Sequence, residues 1–361
     1  MKIVNILLNY KKANHNNQVL GVEKCFLDYS KNLANRGIDI VSVIKSKIFL
    51  LPELKKINAK ILELPALNQG DIYSILKLAL KFLFFKPDII ICHSGRALMF
   101  SRIARLLIFK KIPIVVVDHG INPLKFVKAD FVLTVNSFFS KQLIKSGMPE
   151  NRCMVIPNMI EIPENFQPLI KSPITKKIRL GSLGRLSSEK NFDKVIKSIP
   201  ILLNHGYEVE YVIGGVGIES ENLYLTAKNL GIEKNFKILG WVEDKRKFFS
   251  EIDIFILPSF GETFGIVLLE AMLYNTPIIS SNSWGPDEII SHQVNGLKIS
   301  KDDSDIMPEL IAKQVISLQQ NPELVATIIK NAYEDLIKKY TSDVVSEKLI
   351  EICNKIIKQS I

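Results

Sequence analysis

The sequence predicts an α/β protein built from two doubly wound parallel-sheet domains. Short apolar runs of β character recur along almost the whole chain, they lack polar alternation, and amphipathic stretches with helical spacing separate them. Strands without alternation are buried on both faces, which marks parallel sheets clad in helices. At 361 residues the chain also exceeds what one core ordinarily supports.

In the first half the runs are KIVNILL, IDIVSVI, DIIIC, PIVVV and FVLTV. Between the first two lies VEKCFLDYSKNLANRG, where Phe26, Leu27, Leu33 and Ala34 fall at helical spacing and Gly37 stops the helix. The second half repeats the alternation with KIRLGSLG, EVEYVIGG, FKILG, IDIFILPS and TPIIS. The stretch 158–177 carries Pro163, Pro168 and Pro173 just after Pro157, without sustained periodicity, as a linker does. The expected division is therefore residues 1–170 and 171–341. An amphipathic helix over 342–361 closes the chain and is free to pack back on the first domain.

Composition narrows the class. No run approaches the ~20 uninterrupted apolar residues that a membrane span requires, and the start, MKIVNILLNYKKAN, has no small-residue cleavage site. Cys25, Cys92, Cys153 and Cys353 are scattered, without Cys-x-x-Cys pairs or histidines at zinc spacing, so reduced thiols in a cytoplasmic protein are expected. The net charge of +10 is uneven: residues 1–170 hold 24 Lys and Arg against 12 Asp and Glu, the remainder 23 against 25. Either the first domain meets an anionic surface, membrane or nucleic acid, or the lysines simply keep the protein in solution.

Open parallel sheets bind ligands at the carboxyl ends of their strands, and the motifs gather there. IRLGSLGRLSSEKN sets Gly181 and Gly184 at a strand end, with Arg185 and Lys190 on the turn that follows. A guanidinium and an ammonium beside side-chain-free backbone suit a diphosphate, although solvated cations near a helix start read the same way. VIGGVGIES, with Gly214, Gly215 and Gly217, is half of a dinucleotide fingerprint; its sixth position is Ser220, so it indicates a tight strand-to-helix turn rather than NAD. GETFGIVLLEAM then keeps Glu262 and Glu270 eight positions apart. On one helix they would lie about 80° apart and ~12 Å along the axis, so Glu262 is expected in the loop. The helix would begin at Thr263 or Phe264, with Glu270 about two turns inside. Carboxylates accept paired hydroxyls, so sugar or ribose diols are natural partners; a capping Glu262 and a surface Glu270 are the plain alternative.

With these residues in view, the chain resembles the retaining glycosyltransferase family 4, whose fold is GT-B, two Rossmann-like doubly wound domains facing a central cleft. The resemblance runs through GRLSSEKN at 184–191, GGVG at 214–217, LGWV at 239–242, Glu262 and Glu270 within PSFGETFGIVLLEAM, and GPDEIISHQVNGL at 285–297. In the first half KPDIIICH at 86–93, DHG at 118–120 and VIPNMI at 155–160 are similar to that family's strand ends and domain junction. It implies a retaining, metal-independent hexosyltransferase of the EC 2.4 class, using a UDP- or GDP-sugar and no cofactor. Its product would belong to lipopolysaccharide, capsule or another cell-surface polysaccharide.

Carried over, the resemblance implies that Arg185 and Lys190 hold the donor diphosphate and that Glu270 binds the ribose. Glu262, with amides around Phe264 and Gly265, would bind the transferred sugar, which His119 would face. Gly184, Gly215, Trp241, Val242 and Thr263 complete the implied donor site, and His119, Glu262, Arg185 and Lys190 the implied catalytic set. Asp303 and Asp305 read as helix-capping acids, and no metal site is expected. Where the family often pairs glycines before its first helix, QVLGVEK offers Gly21 beside Leu20, which leaves Gly21 and Glu23 as weaker acceptor-side candidates. His93 matches a family position, yet histidines at buried strand ends are commonly structural.

In this reading the basic first domain binds a glycan or lipid-linked acceptor. YSILKLALKFLFFK at 73–86 combines Lys77, Lys81 and Lys86 with leucines and phenylalanines, and SRIARLLIFKK at 101–111 adds Arg102, Arg105, Lys110 and Lys111. Such faces lie on anionic lipid, giving a peripheral protein on the inner side of the cytoplasmic membrane. Alternatively Leu80, Phe84 and Leu106 pack against the sheet. Nucleic acid is not an expected partner, because no aromatic-basic recognition motif is present. The competing function is a non-catalytic nucleotide- or glycan-binding subunit on the same fold.

Overall fold

The computed structural model describes residues 1–8, 21–46, 50–57, 59–68, 70–120 and 123–360. The chain divides into two compact units, residues 1–159 with 342–361, and residues 160–341. The division falls ahead of the boundary expected near 170, because Ile160 already donates its amide to Tyr340 O and bridges to Thr341. Residues 161–176 then run without helix or strand.

The first unit holds β1 (Lys2–Leu7), α1 (Gly21–Asn35), β2 (Asp39–Lys45), α2 (Leu51–Lys55), β3 (Lys60–Leu64), α3 (Ile72–Phe85), β4 (Ile89–Cys92), α4 (Gly95–Leu107), β5 (Ile114–Asp118), β6 (Phe131–Thr134), α5 (Ser137–Lys145) and β7 (Cys153–Val155). Its seven parallel strands are ordered β3-β2-β1-β4-β5-β6-β7. Alternate residues of one strand serve opposite layers: Val4 and Ile6 join the core under α3 and α4, while Ile3 joins that under α1. Both faces of the sheet are buried, which is why the strands read as largely apolar runs.

The second unit continues with β8 (Lys177–Leu183), α6 (Phe192–Asn204), β9 (Glu208–Gly214), α7 (Ser220–Asn229), β10 (Phe236–Gly240), α8 (Lys245–Ser250), β11 (Ile254–Leu257), α9 (Ile266–Leu273), β12 (Ile278–Ser281), α10 (Trp284–Ile289), β13 (Leu297–Ile299), α11 (Met307–Gln320) and α12 (Pro322–Lys339). Six parallel strands are ordered β10-β9-β8-β11-β12-β13. The closing helix α13 (Ser342–Ser360) returns to the first unit. Val345, Leu349, Cys353 and Ile356 bury one stripe of it in the core shared with α1, and Arg36 holds Asp343 at 2.5 Å. All four cysteines are buried and unpaired.

The turn before α9 is pressed against α10. Gly285 donates its amide to Glu262 O at 3.0 Å, and a Cβ at 285 would stand 2.3 Å from Phe264 Cα. Backbone cannot step aside as a flexible side chain does. Gly285→Ala should therefore cost about 1–3 kcal/mol, read as a lowered urea midpoint at unchanged slope; an unchanged midpoint would mean that the contact relaxes freely.

Candidate active site

In the second unit the chain starts at β8, works outward through β9 and β10, then crosses to β11 on the other side. The connections that leave β8 and β11 head to opposite sides of the sheet, the switch point at which open parallel sheets place their ligands. Backbone alone joins the glycine turns there. Gly184 donates to Gly214 O at 3.0 Å, Leu186 to Val216 O at 3.0 Å and Gly215 to Gly240 O at 2.6 Å. A Cβ on Gly215, whose φ is +153°, would fall 1.8 Å from Gly184 O, and one on Gly217 2.1 Å from Leu186 O. Only glycine fits these positions, so the spacing in VIGGVG is a packing requirement as well as a turn.

Charges ride on these turns. Asn191, held at φ +53°, caps the β8 turn and donates its side chain to Pro258 O at 3.2 Å, while Phe260 donates its amide to Glu189 O at 2.9 Å. The loops after β8 and β11 are thereby laced together. Across that seam Lys190 Nζ donates to Glu262 Oε2 at 2.5 Å, with both side chains mostly covered. Arg185, more than half exposed, pairs with Glu189 at 3.0 Å.

Helix α9 begins at Ile266, later than Thr263 or Phe264 as expected, because Gly265 at φ +91° turns the chain immediately before it. Its N-cap is glycine, so the cap residue offers the first-turn amides no side-chain acceptor. Glu270 is the fifth helical residue, closer to the helix start than expected, on the half-buried stripe of Ile266 and Val267. Its Oε2 lies 3.2 Å from Lys245 Nζ of α8, near enough for an ion pair but misaligned for a hydrogen bond. Lys245 was missing from the sequence reading. The signal was its place just after the LGWV turn, beside the loop that Glu270 faces.

The remaining donor-side candidates divide. Gly184 and Gly215 form the glycine contact, Trp241 is exposed after β10, and Val242 packs over Gly214. Thr263 is half-buried, while Phe264 is buried with its ring edge-on to Tyr340 and its backbone packed against Gly285. Lys301 lies over both Phe260 and Trp284 and brings a further cation to this edge.

In the first unit the corresponding crossing lies between β1 and β4. Asn5, fully buried on β1, donates to Phe26 O at 3.1 Å and Ser30 Oγ at 3.0 Å, which fixes its amide and leaves Oδ1 to accept from His93 Nε2 at 2.9 Å. Burial drives the His93 imidazole well below its ordinary pKa, helped by His119, so it is neutral and its Nδ1 accepts. The facing atom, His119 Nε2 at 3.4 Å, is then the donor, and His119 keeps a free lone pair on Nδ1. Burial lowers the His119 pKa from 6.5 to about 4, and it too is neutral at pH 7.

Cys25 joins this group, its sulfur and one nitrogen of each histidine lying within 4.8 Å of one another. The absence of histidines near the cysteines was true of the sequence only. Burial pushes the Cys25 thiol up, and the set rests as neutral donors and acceptors. Gly21 opens α1 exposed, and Glu23 lies half-buried in its first turn. Leu20, and with it the backbone approach expected beside Gly21, is outside the described residues. Asp303 lies just before a short 3-10 turn that includes Asp305 and leads into α11.

Two outcomes follow from these charges. Lys190→Ala should destabilise by about 3 kcal/mol by stranding the covered Glu262 carboxylate, and Glu262→Ala on top should restore part of it, which a double-mutant cycle in urea measures. Asp118 is 1% exposed with one oxygen unpartnered, and burial raises its pKa from 3.8 to about 6 against the lowering amide of Gly120. A raised folded pKa gives stability that is full below pH 3.8 and lost as pH climbs through about 6. Between those pH values Asp118→Asn should forgo a gain on the order of 3 kcal/mol that the native chain makes on acidification. Parallel pH–stability curves for the two proteins would contradict this.

Comparison with known proteins adds independent grounds. Residues 166–335 match the model described as glycosyl transferases group 1, and residues 19–163 match glycosyltransferase family 4. An uncharacterized glycosyltransferase of Methanocaldococcus jannaschii is 28% identical over 248 residues, 65% of this chain and 62% of its own length, so the chain spans about three fifths of that relative. The capsular polysaccharide biosynthesis glycosyltransferase CapM of Staphylococcus aureus is 25% identical over 323 residues, 81% of this chain and 83% of its own. Among solved structures, HepE of Anabaena in complex with UDP superposes with a TM-score of 0.79 at 21% identity, over 98% of this chain and 100% of its own. The paired domains and the two family matches in tandem agree, and the chain belongs to the family 4, group 1 glycosyltransferases of GT-B fold.

Proposed function

We propose that this glycosyltransferase moves a hexosyl residue, with retention and without a metal ion, from a UDP- or GDP-sugar to a glycan or glycolipid acceptor. The product would enter lipopolysaccharide, capsule or another cell-surface polysaccharide, made in the cytoplasm. The observation that carries the reading is the Lys190–Glu262 pair, 2.5 Å apart across the switch point between β8 and β11, with the glycine-capped start of α9 beside it.

A departing nucleoside diphosphate gathers negative charge, and fixed cations and helix-start amides lower that barrier without reorganising. Lys190 and Arg185 are the assigned cations, and each already holds an acid. A diphosphate takes over Lys190 in part, which frees an oxygen of Glu262 for the sugar hydroxyls. Glu270, oriented by Lys245, receives the ribose diol. His119 is assigned to a hydroxyl of the transferred sugar, with its Nδ1 lone pair as acceptor. The CapM relative supports the polysaccharide setting by its name, HepE supports UDP by its bound ligand, and the four reduced, buried thiols suit the cytoplasm.

A thermal-shift panel of nucleotide-sugars tests the donor. At about a hundredfold excess over Kd the right one should add about 2.7 kcal/mol of stability. Lys190→Ala should erase that shift, and Glu262→Gln should keep binding but lower transfer by about a hundredfold. Transfer should survive EDTA, and the product anomer should match the donor's. A panel without any stabilising nucleotide-sugar would sink the reading.

A further inference from the structure

Among the described residues, nothing covers the outer face of α3. Every exposed residue of this helix is apolar: Ile72, Tyr73, Leu76, Leu80, Leu83 and Phe84, recurring at three- and four-residue steps opposite the side buried in the core. Surface helices ordinarily turn polar residues outward, and an apolar face all round belongs to a helix covered on both sides. The neighbouring α4 extends the surface, with Leu106 75% exposed and Phe109 beyond its end 95% exposed. Leu80 and Phe84 are 54% and 79% exposed, so they do not pack on the sheet, the alternative that the sequence left open.

Cations rim this surface. Residues 66–112 hold five Lys and three Arg against two Asp; of the arginines, Arg96 is buried on Ala66 O and Arg105 is paired with Asp130. Lys86, Lys110 and Lys111 are exposed, and Lys81 lies along the helix with its ammonium 5.6 Å from the Phe85 ring. Both acids are engaged locally: Asp71, next to Ile72, caps the start of α3 and accepts from Ser74, and Asp88 takes the Lys2 amide.

We infer that the α3–α4 face docks on an anionic lipid bilayer, its leucines and phenylalanines entering the head-group boundary and its lysines meeting lipid phosphates. A bilayer supplies both halves of the complement in one surface. A second copy of the chain, applied about a two-fold axis, would oppose rim cation to rim cation. The inference rests on the acceptor reading above only for its purpose, since a surface-bound transferase meets a lipid-linked acceptor in two dimensions.

Flotation of the full chain with vesicles of phosphatidylcholine alone, or mixed with phosphatidylglycerol, tests the surface. The protein should float with the mixed vesicles and stay behind with the neutral ones. Leu80→Glu/Phe84→Glu/Leu106→Glu should abolish flotation, while Lys86→Ser/Lys110→Ser/Lys111→Ser should weaken it by about fivefold per cation at low salt. These positions are exposed, and an unchanged nucleotide-sugar thermal shift certifies the fold and keeps this test separate from that of the donor site. Flotation with no vesicle, or flotation that ignores both variants, overturns the inference. So does a concentration-dependent dimer, without lipid binding, that the apolar variant dissolves. If vesicles bind but no nucleotide-sugar does, the docking surface stands and the proposed function falls.

Discussion

Backbone touching backbone at the ends of β8, β9 and β10 is the constraint on which the rest of the second unit hangs. Main-chain hydrogen bonds join Gly184 to Gly214 and Gly215 to Gly240, with no room for a Cβ on Gly215. That closeness aims the turn after β8 back over the sheet instead of outward, which carries Lys190 to the β11 side. The strand order supplies the second half of the arrangement, because only at the β8–β11 crossing do the connections head to opposite sides of the sheet. Side chains decorate a geometry that the main chain has already set.

Electrostatics at that edge are balanced in pairs. Glu262 holds Lys190, Glu270 faces Lys245 and Glu189 holds Arg185. An ion pair as covered as Lys190–Glu262 contributes little net stability against a well-packed apolar pair, since desolvation consumes most of its attraction. In the proposed function its place makes more sense as stored charge. A cation already stripped of much of its water would meet an incoming diphosphate at low desolvation cost, and the displaced carboxylate would become an acceptor for sugar hydroxyls.

How much of this was legible in the sequence depended on range. The alternation of apolar runs and amphipathic helices set out ten of the thirteen strands of the described residues, but β3, β7 and β13 are edge strands, where Glu63 and Lys298 interrupt β3 and β13 and β7 has only three residues. Glycine spacing located the turns, because a missing Cβ is written directly in the residue type. The start of α9 was misplaced since the decisive feature, a left-handed Gly265, is a backbone angle that Thr263 and Phe264 do not announce. Pairings such as Lys245 with Glu270, or Cys25 with His93 and His119, join separate elements and leave no local pattern. The unit boundary shifted for the same reason: Ile160 is claimed by Thr341, on the far side of the second unit in sequence.

The uneven charge also acquires a location. Residues 1–170 carry the whole positive excess, yet His93 and His119 at the strand ends of the first unit are neutral, held so by burial and by the proton order that Asn5 imposes. Added charge there would be costly, because a buried imidazolium lacks a counter-ion in that hydrogen-bonded chain. The excess instead decorates helices, and between residues 66 and 112 it borders exposed apolar side chains. Cations spread only for solubility need no such neighbours. Their adjacency to an unpartnered apolar helix face ties the two anomalies of the first unit, its charge and its exposed leucines, to a single surface.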